Sequence, residues 1–161
     1  MACRRYLGAL FAGLGLALAA CTTPQTAALI EAPGDLPSSA AVEDVPFFPQ
    51  EDYYCGPAAL ATVLAWSGLP ATPEELVDRV YTPERQGTLR SDVLAAARRE
   101  GRLAVPVASL RDMMAEIAAG HPVLVFQNLS LSWYPQWHYA VAVGYDLGRR
   151  EITLRSGREA E

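Results

Sequence analysis

Residues 55–66 read CGPAALATVLAW, without a single charge, and constrain the fold more than any other stretch. Pro57 suits the first turn of a helix, where its missing N–H costs nothing, and Gly68 supplies a stop. From about Gly56 to Ser67 the apolar residues, among them Leu60, Val63, Leu64 and Trp66, cover most of the helix circumference. A helix that is hydrophobic nearly all round needs neighbours on every side, so it is expected at the centre of a domain. It also opens on a cysteine. A thiol at a helix mouth faces unpaired N–H groups and the positive end of the macrodipole, which favour the ionised, nucleophilic form. Cysteine is equally a common core residue, so position alone leaves both readings of Cys55 open.

What surrounds this helix follows from local signals. Thr72 and Glu75 form a capping box for a helix from Pro73 to about Val80. A third helix is expected from about Ser91 to Glu100, ended by Gly101, and a short amphipathic one over 110–119, ended by Gly120. The stretch VPFFPQ from Val45 reads as extended, because two prolines forbid helix. LAVPV at 103–107 reads as an edge strand interrupted by Pro106. The period then changes: PVLVFQN at 122–128, HYAVAVGY at 138–145 and EITLRS at 151–156 read as strands, the last two joined by the turn-like DLGRR. Helices first and strands later argue for an α+β fold, its antiparallel sheet packed on the Cys55 helix.

With 161 residues and 51% hydrophobic content, the chain suits one small domain with a real core. All thirteen basic residues are arginine, and no basic cluster falls on one predicted face, so nucleic acid is not an expected partner. The N-terminus stands apart. Arg4 and Arg5 precede an apolar or small run from Leu7 to Ala20, too short to span a bilayer and suited to a secretory signal. Leu18-Ala19-Ala20-Cys21 resembles a bacterial lipobox, which implies cleavage before Cys21 and lipid on its sulfur. The expected organisation is a signal peptide over 1–20, a lipidated tether rich in Ala, Pro, Ser and Thr over 21–44, and a domain over 45–161. By resemblance to Gram-negative lipoproteins, Thr22 after the cysteine favours the outer membrane, with the domain facing the periplasm. Cleavage would remove Cys3 and lipid would occupy Cys21. Cys55 would then be a lone thiol where disulfides form, which marks it as reactive.

A cysteine nucleophile needs a base, an orienter for that base and donors for an oxyanion. The chain has two histidines. His121 precedes Pro122 at a strand entrance and reads as a capping or surface residue. His138 opens the strand HYAVAVGYD after the aromatic-rich SWYPQW, a combination that fits a cleft wall as well as simple packing. The single mature thiol and two histidines make no metal-ligand cluster, and no cofactor is expected.

The segment QEDYYCGPAAL with a later WHYAVAVGYD resembles the bacteriocin-processing peptidases of cysteine peptidase family 39, and more closely their free-standing C39-like relatives with a papain-like fold. The resemblance implies Cys55 as nucleophile, His138 as general base and Gln50 as an oxyanion-hole donor acting with the Cys55 N–H. The residues alone leave Gln50 open to a plainer role in the loop before the helix. Family members usually carry an Asp on the strand after the histidine strand; here Ser156 stands in its place. Asp146 lies eight residues beyond His138, roughly 26 Å along an extended strand, and is excluded as an orienter. Hairpin register brings Ser156 into the neighbourhood of His138, with Glu159 and Asn128 as alternatives. A serine hydroxyl orients an imidazole tautomer but does not support imidazolium as a carboxylate does.

The resemblance implies a lipid-anchored cysteine peptidase acting on peptide or protein substrates through an acyl-enzyme. Two alternatives share its scaffold: a catalytically weak or inactive peptide-binding domain, and a thiol acyltransferase. The double-glycine leader preference of transporter-fused members does not transfer, because the chain lacks a phosphate-binding G-x-x-x-x-G-K-[ST] loop. The end at Glu161 suggests that a final strand of the family fold is missing.

Overall fold

The computed structural model describes residues 24–50 and 53–158. The expected signal peptide, the lipid site at Cys21 and the alternative orienter Glu159 lie outside the described residues. The chain divides into two compact units, 1–34 and 35–161. In the first, Pro24–Glu31 form helix α1.

The second unit begins with strand β1 (Ser39–Ala41) and an extended segment through Gln50. Helix α2 (Cys55–Trp66) follows, then α3 (Pro73–Val80), a small hairpin of β2 (Tyr81–Thr82) and β3 (Gly87–Thr88), α4 (Arg90–Arg99) and α5 (Leu110–Ala118). Strands β4 (Val123–Asn128), β5 (Trp137–Asp146) and β6 (Glu151–Arg155) complete it. The capping box is present: Thr72 Oγ1 accepts from Glu75 N, and the Glu75 carboxylate accepts from Thr72 N.

β5 is the organising strand. β4 pairs antiparallel with its first six residues, and β1 with its last three. β6 pairs over Val141–Asp146. Since β5 has two edges, β1 and β4 must share one, end to end, and β6 takes the other. Central position explains the composition of β5: residues 139–145 are buried, and a strand covered on both faces reads as a continuous apolar run.

Against one face lies α2, whose residues 56–62 and Leu64 are all buried, as its lack of a polar face demands. Its Ala59, Leu60, Ala61 and Leu64 form one core with Tyr139, Val141 and Val143 of β5, Leu76 and Val80 of α3, and Val93 and Ala96 of α4. The fold is α+β of the papain-like kind.

Two readings change. Residues 103–107 form no strand; Leu103 and Val105 are exposed, and Pro106 removes a donor from a segment that no other strand pairs. The stretch read as a tether contains α1 and β1, and Ser39–Ala41 belong to the sheet. Three small residues carry no legible strand pattern; the free edge of β5 beyond β4 makes them one, with Val42 N donating to Val143 O at 2.7 Å.

Candidate active site

Cys55 is the first residue of α2, half-buried and free. Tyr54 occupies the N-cap position but offers no side-chain cap, and Pro57 has no N–H. The Cys55 and Gly56 N–H groups therefore lack intrahelical partners. The turn that delivers the thiol is strained, with Tyr53 at φ 68°, in the left-handed region that costs a side-chain-bearing residue on the order of 1 kcal/mol. Gly56 has a specific reason. A Cβ there would stand 2.4 Å from Thr88 Oγ1 and 2.5 Å from Thr88 Cβ, so only glycine lets β3 lie against the helix backbone.

Tyr139 joins this corner to the sheet. Its hydroxyl donates to Thr88 O at 3.2 Å, and its pKa is pushed up to about 12, first by burial and then by the negative charge of the Cys55 thiolate. Cys55 thus lies within electrostatic reach of the residue next to His138. Tyr139 is not among the residues to which the motifs point; its adjacency to His138 is the one signal of it in the sequence.

His138 is half-buried, and its Nε2 lies 2.8 Å from Ser156 Oγ. A bulge produces this pairing. Asp146 pairs with Glu151, so an unbroken ladder would set residue 141 opposite 156 and turn Ser156 to the face opposite that of His138. The register shifts between Ala142 and Gly144, and Val141 pairs with Arg155 instead. Ser156 then falls beside Ala140, on the same face as His138 and diagonal to it. Burial holds the His138 pKa below its ordinary 6.5. The hydroxyl beside it carries no charge to oppose that. No hydrogen bond joins His138 to Cys55 among the described residues.

Gln50 is buried, with 7% of its surface exposed. Its Nε2 donates to Tyr139 O at 3.3 Å, and its Oε1 accepts from Gly157 N at 3.2 Å. Its own N–H donates to Gly157 O at 2.8 Å. Gln50 therefore ties the residue after His138 to the residue after Ser156. Gly157, at φ 86°, makes the turn that presents both its polar groups to Gln50.

The remaining sequence candidates have other work. Asn128 Oδ1 accepts from Ser130 N at 3.0 Å and Gln136 N at 2.8 Å, and Nδ2 donates to Leu131 O, so its amide braces the β4–β5 loop. Asp146 accepts from Arg149 N at 2.8 Å in the β5–β6 turn. His121 Nδ1 lies 2.8 Å from Glu116 Oε2, and its ring meets that of Trp66. Among the described residues no group of three or more His, Cys, Asp or Glu side chains is placed to hold a metal.

An antiparallel sheet packed on a central helix, with a cysteine at the helix mouth and a histidine on the middle strand, defines the papain-like class of cysteine-peptidase folds. Within that class the chain belongs to the peptidase C39-like family, whose model matches residues 42–156. It matches no curated protein and no solved structure. The matched span includes Gln50, Cys55, His138 and Ser156.

Proposed function

We propose that the protein is a lipid-anchored cysteine peptidase that hydrolyses peptide bonds through a Cys55 acyl-enzyme, held by lipid on Cys21 at the periplasmic side of the outer membrane. The observation that carries the catalytic part is the 2.8 Å contact between His138 Nε2 and Ser156 Oγ. With Nε2–H donating to the serine, the ring is held in the tautomer whose Nδ1 lone pair is free to act as base. Nδ1 takes the proton from Cys55 as Sγ attacks the scissile carbonyl, then returns it to the leaving amine. Water adds to the thioester with His138 again as base, and the carboxylic acid product leaves. The Cys55 N–H and the second Nε2–H of Gln50 are the donors for the oxyanion.

A weak or inactive peptide-binding role is the second reading, and one feature favours it. Burial lowers the His138 pKa, and Ser156 offers no charge to stabilise imidazolium. Both readings are tested together by iodoacetamide labelling of Cys55 near neutral pH and by hydrolysis of a peptide library. Labelling slowed by His138→Ala, with hydrolysis abolished by Cys55→Ser, supports the peptidase. Unreactive Cys55 with undiminished peptide binding by Cys55→Ser supports the binding role.

A further inference from the structure

The hairpin that connects β4 to His138 exposes more aromatic surface than its size requires. Trp133 is 79% exposed and Tyr134 72%, and Leu129, Leu131 and Trp137 are each more than half exposed. From Pro122 to Trp137 there is no charged residue, in a chain where 19% are charged. Such a surface is unusual on an acidic protein.

Four of its backbone N–H groups have partners within the hairpin. Leu129 N–H donates to Gln136 O at 2.8 Å, and Tyr134 N–H to Leu131 O at 3.0 Å. Asn128 satisfies Ser130 N, Gln136 N and Leu131 O from one side chain. Phe126 stacks on Trp137 at 4.8 Å, which fixes the base of the hairpin. Polar groups that carry their own partners leave water at small cost, whereas unpaired ones do not. Tryptophan and tyrosine, apolar in body and polar at one edge, settle at the headgroup level of bilayers.

We propose that this hairpin docks into the interfacial layer of a lipid bilayer, with Trp133 and Tyr134 at its tip. It has no charge to pair with a charged peptide. Delivery to the bilayer rests on the lipid-anchor part of the function proposed above. Even with α1 helical, the segment from Cys21 to Ser39 reaches roughly 45 Å. Ser39 pairs with Asp146, nine residues and roughly 30 Å along β5 from Trp137 at the base of the hairpin, a span that this reach exceeds. Because the hairpin runs straight into His138, docking holds the candidate site at the membrane surface, where its substrates would be peptide segments lying at that surface.

The test uses the full mature chain and phosphatidylcholine vesicles. In the Trp66→Phe, Trp137→Phe variant, Trp133 is the remaining tryptophan. The proposal expects its emission to shift to shorter wavelength on vesicles and to be quenched by lipids brominated near the headgroup end of the acyl chain. Trp133 emission and iodide quenching unchanged on vesicles that carry the chain would overturn it. A shift produced by peptide substrate but not by vesicles would overturn it too. A second arm separates the hairpin from the anchor: with Cys21→Ala, vesicle partitioning is compared with and without Trp133→Ser and Tyr134→Ser. A loss of about tenfold or more is expected on removing both rings, and equal partitioning counts against the hairpin. Mass measurement of lipid on Cys21 tests the anchor by itself, so either idea can fail alone.

Discussion

Ser156 Oγ stands 2.8 Å from His138 Nε2, a neutral hydroxyl against the ring. A hydroxyl at that distance orients the ring without favouring its protonation, so the site is built for a neutral imidazole at rest.

Removing the orienter should therefore cost one neutral hydrogen bond. Ser156→Ala is expected to lower kcat/KM on a cleaved peptide by about tenfold. Ser156→Asp is expected to raise the His138 pKa and to raise the alkylation rate of Cys55, read by NMR titration and iodoacetamide kinetics. An unchanged His138 titration in Ser156→Asp would break the link between the two residues.

The lowered His138 pKa also sets a pH dependence with a definite sign. Between 6.5 and the lower folded value, the unfolded chain binds the proton more readily than the folded one. Stability from this group is therefore complete above pH 6.5 and declines as pH falls through the folded pKa. Thermal unfolding from pH 5 to 8 should show that slope, and His138→Phe should reduce it.

Gln50 joins three backbone groups, one on β5 and two on Gly157 beyond the end of β6. Gln50→Ala leaves Tyr139 O and Gly157 N without the partner they have, at a cost on the order of 2 kcal/mol, measured by urea denaturation. The same variant should slow alkylation of Cys55 by more than instability explains at low temperature, because Ser156 and His138 lose their shared strut.

Tyr139 reports on the thiol. Ultraviolet titration should show one tyrosine ionising near 12, and Cys55→Ser should move it downward, since the Cys55 charge contributes to raising it. A Tyr139 titration identical in both proteins would place the thiolate out of its reach.

Gly56→Ala drives a Cβ into Thr88 and is expected to destabilise by about 1–3 kcal/mol. The double variant with Thr88→Ala should recover part of that loss, which denaturation midpoints of the single and double variants will measure.

Local chemistry made much of this legible. The apolar circumference of Cys55–Trp66 announced a central helix, and Thr72 with Glu75 marked the next one, because caps and periodicity act over a few neighbouring residues. The motifs around Cys55 and His138 carried the family resemblance, and the family match agrees with it. The sheet decided the rest. Ser39–Ala41 are a strand only because β5 extends past β4, and 103–107 are not one because no edge receives them. The bulge between Ala142 and Gly144 turns Ser156 to the face of His138, and the closing turn at Gly157 lets Gln50 clasp both strands. A one-residue slip reverses every side chain beyond it, so which residue stands behind His138 is settled by how β5 and β6 pair in three dimensions, through contacts no short stretch of sequence contains.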